Sequence, residues 1–276
     1  MTYLQETILD VFKEFKRVCE EYNLRYYAIG GTCLGAIRHK GFIPWDDDLD
    51  VAMPLEDYQR LRREWRNMLS EPYQLFDYET AQHCEFHFLK MFNGNTTYIE
   101  QHIKNMPDRY TGVFIDIMPI AGWPEEIYAA SVLQQKIIWY RRFDRCVRFG
   151  AGDNESFKSK AFRILSAPLW KGKPFAYYSL KAEEEIGRKG FGTTKNILFP
   201  WRAIGRNIFP FVWFEREILV PFEDTTIAIP LGYDRYLKKD FGDYMQLPPI
   251  KDRQGVHPAE IIDYKKSYRE YQEEIK

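Results

Sequence analysis

Between Pro44 and Met53 the chain reads PWDDDLDVAM, four acids in the five positions Asp46 to Asp50 and an apolar run directly after them. No Lys or Arg falls inside the stretch. The run from Asp48 to Met53 has the character of a strand, in which residues i and i+2 share a face. Asp48 and Asp50 are then expected on one face, with Leu49, Val51 and Met53 turned into the core. Two carboxylates fixed side by side repel each other and are driven to take up protons. A divalent cation removes that penalty, and hard oxygen ligands suit Mg²⁺ or Mn²⁺. For Asp46 and Asp47 the plain alternative is a solvated turn. The Asp46, Asp48, Asp50 spacing also opens an EF-hand loop, but Val51 stands where the sharp-turn glycine is required and Asp57 where the bidentate glutamate belongs.

Two further segments extend this reading. In GVFIDIMPI (112–120) Asp116 is the one charge of an apolar strand, on the face of Phe114 and Met118 and opposite Val113, Ile115 and Ile117. A lone buried carboxylate is costly unless paired or metal-bound. Pairing with a buried Arg or a backbone cap is the structural alternative. If this strand lies beside the acidic one, Asp48, Asp50 and Asp116 converge. Upstream, RYYAIG (25–30) reads as a short strand that runs through Gly30-Gly31-Thr32 into a helix. Such a turn offers backbone N–H groups to an anion. Arg38, His39 and Lys40 follow. Phosphate on one side and metal on the other suit phosphoryl or nucleotidyl transfer.

The 276 residues suffice for a sizeable core, with 45% hydrophobic and 29% charged residues. A formal net charge of -1 argues against a general grip on nucleic acid. No stretch approaches the ~20 apolar residues of a membrane span. The N-terminal segment has no cleavage-site pattern. The four cysteines are scattered without a CxxC, which fits free thiols and a cytoplasmic location. Helices are expected at 2–22, 54–69 and 125–145, two more between 156 and 188, one at GYDRYLKKDFG, and a charged last helix from about 258. Strands are expected within 73–101 and at 225–230. The fold class that follows is α/β or α+β, with a largely helical second half. The expected organisation is a core over 1–122, a helical subdomain over 123–210 and a segment 211–276 packing back on the core, together one unit.

The order Gly-Gly-Thr, helix, Asp-x-Asp on a strand, then a lone Asp on a later strand resembles the nucleotidyltransferase fold of the DNA polymerase beta type. The longer string IGGTCLGAIRHKGFIPWDDDLDVAM resembles one branch of it, the LicD family of bacterial phosphocholine transferases related to fukutin proteins. FIDIMPI and the tail IPLGYDRYLKKDFGDYMQLPP, with His257, are similar to the same family. The resemblance covers most of 1–258 and is weakest over 125–195. It implies a mixed sheet flanked by helices. It also implies transfer of phosphocholine from CDP-choline to a hydroxyl of a cell-surface glycan, of teichoic acid or lipopolysaccharide type, or of its lipid-linked precursor, with release of CMP. Asp48, Asp50 and Asp116 would bind Mg²⁺ (or Mn²⁺), and Asp116 would take the acceptor's proton. Gly30, Gly31 and Thr32 would line the diphosphate, and Arg38 and Lys40 would neutralise the leaving phosphate.

Lys90 is a further phosphate contact or else a solvated strand end. Choline, a cation without donors, calls for aromatic faces. Trp45 is the first candidate for such a wall, Trp123 and Trp201 weaker ones. Other CDP-alcohols (ribitol, glycerol), a phosphoethanolamine donor, nucleotidyl transfer to a small alcohol and a non-catalytic choline- or glycan-binding module remain as alternatives. Contact with the inner face of the plasma membrane stays open, as does metal binding by His83, Cys84, His87 and His102. His257 is read as a packing or capping residue ahead of a substrate contact.

Overall fold

Helix α1 (Tyr3–Glu21) opens with a capping box in which Thr2 accepts from the Gln5 backbone N–H and the Gln5 side chain answers to the Thr2 N–H. Its apolar stripe, Ile8, Val11, Phe12, Phe15 and Val18, is fully buried. The chain passes through β1 (Tyr27–Ala28) into α2 (Gly30–Arg38), crosses a loop that carries the acids, and enters β2 (Asp50–Pro54) and α3 (Leu55–Met68). Next come β3 (Tyr73–Phe76), β4 (Leu89–Asn93), β5 (Thr97–Glu100) and the long β6 (Phe114–Trp123). Four helices follow, α4 (Ile127–Phe149), α5 (Phe157–Leu165), α6 (Ala167–Trp170) and α7 (Tyr177–Gly187). The remainder comprises β7 (Asn196–Leu198), β8 (Ile208–Pro210), β9 (Glu217–Phe222), β10 (Thr225–Pro230), α8 (Tyr233–Phe241), β11 (Ala259–Asp263) and α9 (Tyr268–Glu274). The structure, a computed structural model, describes residues 1–79, 87–149, 156–200, 202, 207–255 and 257–274.

The principal sheet runs β1-β2-β6-β4-β3, and the far end of β6 continues into β7 and β8. It is mixed: β2 and β6 are parallel and the other pairs antiparallel. Every residue of β6 is buried, as befits a central strand covered on both faces. The two acid-bearing strands lie side by side here. Asp50 stands opposite Asp116, and Lys90 of β4 stands opposite Asp116 from the other side.

Two expectations need correction. The acidic strand starts at Asp50, so Asp48 precedes it and does not share a strand face with Asp50. The loop before the strand is held instead by Gln5, whose side-chain amide donates to the carbonyls of Ile43 (3.1 Å) and Asp46 (3.0 Å). The charged stretch from about 258 is not one helix. Residues 259–263 alternate in burial and pair with β5, and only 268–274 is helical. The sheet edge of β5 supplies backbone partners that a solvated helix would not. No helix among the described residues is long and apolar enough to cross a membrane. Cys19 and Cys33 are buried free thiols, and Cys146 is buried as well.

Candidate active site

The site lies where β2 and β6 begin, beside the N-terminus of α2. Asp50 is fixed through its backbone: its N–H donates to the Thr32 hydroxyl (2.8 Å) and its carbonyl accepts from the Ile29 N–H (3.2 Å). Thr32 is buried in this positioning contact. The Gly30 N–H donates to the Tyr236 hydroxyl (2.8 Å), so α8 closes the back of the glycine turn. At Gly31 a Cβ would come within 2.8 Å of the Asp46 carboxylate, which would have to move aside. An acid thus sits at the positive end of α2, where a helix favours an anion.

The carboxylate oxygens that converge to within 4.8 Å of one another, among the described residues, are those of Asp46, Asp47 and Asp48. The expected trio of Asp48, Asp50 and Asp116 is therefore split. Asp48 belongs to the converging group, while Asp50 and Asp116 form the neighbouring sheet row. The groups still feel one another. Burial, then Asp48 and Asp116, push the Asp50 carboxyl well above the ordinary carboxylate range. Burial, then Asp48 and Asp47, push Asp46 up to about 7. Burial raises Asp116 as well, against the pull of Lys90, whose Nζ lies 3.0 Å from Asp116 Oδ1. The same ammonium stands 3.4 Å from the Phe114 ring centroid. Lys90 is buried, which removes the solvated-end reading.

His257 is the residue whose place the sequence undervalued. Its Nε2 lies 3.1 Å from Asp48 Oδ2 and its Nδ1 lies 3.2 Å from Glu100 Oε1. Its backbone N–H donates to Asp47 Oδ2 (3.0 Å). Hydrogen bonds to Asp48 and Glu100 raise the imidazole to about 10 despite its burial. Gly255 lets the segment approach, because a Cβ would sit 2.2 Å from Asp47 Oδ2. Glu100 went unread; the only hint was an acid ending an otherwise uncharged strand, TTYIE. Six acids (Asp46, Asp47, Asp48, Asp50, Glu100 and Asp116) thus face two cations, Lys90 and His257. Oxygen-only donors carrying excess negative charge fit a hard divalent cation.

Arg38 donates to the carbonyls of Tyr244 (2.8 Å) and Gln246 (3.3 Å) and is held down in pKa by burial and by nearby Arg253. Among the described residues neither guanidinium pairs with a carboxylate. Arg253, also missed, lies 5.3 Å over the Trp45 ring, and His39 meets that ring edge-on at 6.3 Å. Lys40 is exposed at φ +57°, its carbonyl accepting from the Glu223 N–H (2.8 Å). Trp123 is buried at the other end of β6, seven residues or roughly 23 Å along the strand from Asp116; it is no wall for this site. His87 sits near Asp144, Arg141 and Arg148, and burial lowers it to about 4. His102 is exposed, and neither histidine joins a metal-binding group among the described residues. His83, Cys84 and Trp201 lie outside the described residues.

Comparison with known proteins points to one family. Residues 23–145, which hold all six of these acids, match the family model "LicD/FKTN/FKRP, nucleotidyltransferase domain". Over that segment the chain is similar to the LicD family's nucleotidyltransferase domain. It is 29% identical to the lipopolysaccharide cholinephosphotransferase LicD of Haemophilus influenzae, over 93% of this chain and 95% of that protein. A shorter match, 50% identity over 40 residues, links it to the ribitol 5-phosphate transferase FKRP of Homo sapiens, covering 14% of this chain and 8% of that one. An uncharacterised Rickettsia prowazekii protein is 37% identical over 57 residues, 21% of each chain. This LicD-type chain is an enzyme of the phosphotransferase class.

Proposed function

We propose that this LicD-type enzyme transfers phosphocholine from CDP-choline to a hydroxyl of a lipopolysaccharide- or teichoic-acid-type glycan, or of its lipid-linked precursor, in a reaction that depends on Mg²⁺ or Mn²⁺. The observation that carries the reading is the excess of carboxylates at the N-terminus of α2, in a domain whose full-length relative is a cholinephosphotransferase. A nucleotidyltransferase-type core accounts for the same arrangement.

Asp48 is common to the converging acids and to the trio expected from sequence, so it is the central ligand. Asp46 and Asp47, or Asp50 and Asp116, complete the set. When bound, the cation neutralises the donor diphosphate and stabilises charge on the transferring phosphoryl group. The acceptor oxygen attacks the phosphorus that bears choline. The bond from that phosphorus to the bridging oxygen breaks, CMP keeps the electron pair, and the hydroxyl proton passes to a carboxylate, for which we assign Asp116. Lys90 holds Asp116 in place. His257 orients Asp48 and is itself oriented by Glu100. Gly31 with the first turn of α2 lines the diphosphate, and Arg38, with Arg253 and Lys40, draws the departing phosphate. Trp45, already stacked with one cation, offers a surface of the type choline needs.

The 40-residue match to a ribitol 5-phosphate transferase favours one second reading, the same chemistry with CDP-ribitol. Calorimetric titration of CDP-choline with and without Mg²⁺, beside CDP-ribitol, CDP-glycerol, CTP and ATP, tests both. Metal-dependent binding of CDP-choline alone supports the proposal. Equal binding of several CDP-alcohols removes choline selectivity. Absence of metal-dependent binding by any nucleotide overturns the transferase reading.

A further inference from the structure

Helix α5 presents its apolar stripe outward. Phe157, Ala161, Ile164 and Leu165 stand at the i, i+4, i+7, i+8 positions of one helical face. Phe157 is 86% exposed, Ile164 55% and Leu165 81%, and no residue of the helix is buried. The helix is nonetheless docked. Phe162, off the stripe, stacks on Phe143 of α4 at 5.8 Å and leans on Trp139 at 5.6 Å. The apolar face is therefore not a packing face left over from folding, and Leu169 of the following helix α6 is likewise exposed, at 57%. A contiguous exposed apolar surface marks an interaction site.

The charges around it state the partner. Residues 156–176 contain Lys158, Lys160, Arg163, Lys171 and Lys173 and no acid. The four lysines are exposed, and among the described residues none of them pairs with a carboxylate. On the adjoining α4, Arg142 lies over the rings of Trp139 and Phe162. Outward apolar side chains ringed by unopposed lysines fit a surface that is apolar beneath and anionic on top. A nine-residue helix is about 14 Å long, too short to span a bilayer but suited to lying in its interface.

We propose that α5 and α6 dock this protein onto an anionic membrane surface, with Phe157, Ile164, Leu165 and Leu169 entering the acyl boundary and the lysines meeting lipid phosphates. The proposal is independent of the donor alcohol and of the metal site.

Co-sedimentation of the full chain tests it, with vesicles of phosphatidylcholine alone and of phosphatidylcholine mixed equally with phosphatidylglycerol. The protein is expected to sediment with the mixed vesicles, to be released by added salt, and to stay in solution with phosphatidylcholine alone. Each basic residue near such a surface is worth about fivefold in partitioning, so Lys158→Gln with Lys160→Gln should weaken binding roughly 25-fold. Phe157→Ser with Leu165→Ser should abolish it. Both pairs lie on exposed positions, and circular dichroism with metal-dependent nucleotide binding serves as the check that the fold and site persist. Absence of sedimentation with mixed vesicles overturns the proposal. So does sedimentation that the Phe157→Ser, Leu165→Ser variant leaves unchanged. A concentration-dependent dimer in sedimentation velocity, lost in that variant, without vesicle binding, would assign the face to a second copy of the chain instead.

Discussion

Lys90 and Asp116 face each other on neighbouring antiparallel strands, Nζ 3.0 Å from Oδ1, both side chains buried. Removing one member of a buried pair leaves an uncompensated charge and costs roughly 3–5 kcal/mol. Lys90→Met is therefore expected to lower the unfolding free energy by about that amount at neutral pH and to abolish turnover. Lys90→Met with Asp116→Asn should recover most of the stability and none of the activity. Urea unfolding of the four species in the cycle checks this; a double variant no more stable than Lys90→Met would show that the lysine acts through packing on Phe114.

His257 makes a different prediction, because it is a positioning residue. His257→Asn is expected to cost about a hundredfold in kcat, and Glu100→Gln less, since the imidazole keeps its contact with Asp48. The folded imidazole is raised to about 10 from an ordinary 6.5. Its contribution to stability is then complete below about pH 6.5 and disappears as pH rises towards 10. The melting-temperature gap between wild type and His257→Asn should accordingly narrow from pH 7 to pH 10. A gap that widens over that range would contradict the pairing.

How far the site could be read from sequence differs from residue to residue. Asp116 was legible because a charge in an apolar strand is costly, and the cost names its own remedy. The adjacency of β2 and β6 entered only as a condition of that argument, and the two strands do pair in register. Glu100 and His257 were not legible in the same way. They are 157 positions apart in sequence and meet only because residues 259–263 add to the β5 edge. As a sequence that segment reads as part of a charged helix, whereas its alternation in burial is set by tertiary pairing rather than by composition. The helices at 3–21 and 55–68 and the strand at 225–230 are readable because local periodicity agrees with the packing, as does the capping box of the first helix.

On the acid side, His87 sets a separate test away from the active site. Burial holds it near 4, below its ordinary 6.5. The unfolded chain then takes up a proton that the folded chain refuses, so stability falls as pH drops from about 6.5 towards 4, by roughly 1.4 kcal/mol per unit. Substitution by Gln removes this slope. Wild type should lose its advantage over His87→Gln between pH 7 and pH 4.5 in thermal melts. Parallel curves would place the ring in water.

Asp50 offers the sharpest separation of stability from function. Its carboxyl is raised by burial and by Asp48 and Asp116, so the ionised form opposes folding at neutral pH. The backbone of Asp50, not its carboxylate, makes the contacts with Thr32 and Ile29 that hold the strand start. Asp50→Asn should therefore raise the melting temperature of the metal-free protein while abolishing turnover. Added Mg²⁺ should stabilise wild type by mass action and stabilise the variant less. Melts of both proteins across a Mg²⁺ titration make the comparison. If Asp50→Asn is less stable than wild type without metal, the carboxylate supports the fold and the acids at this strand start are not held together against their own repulsion.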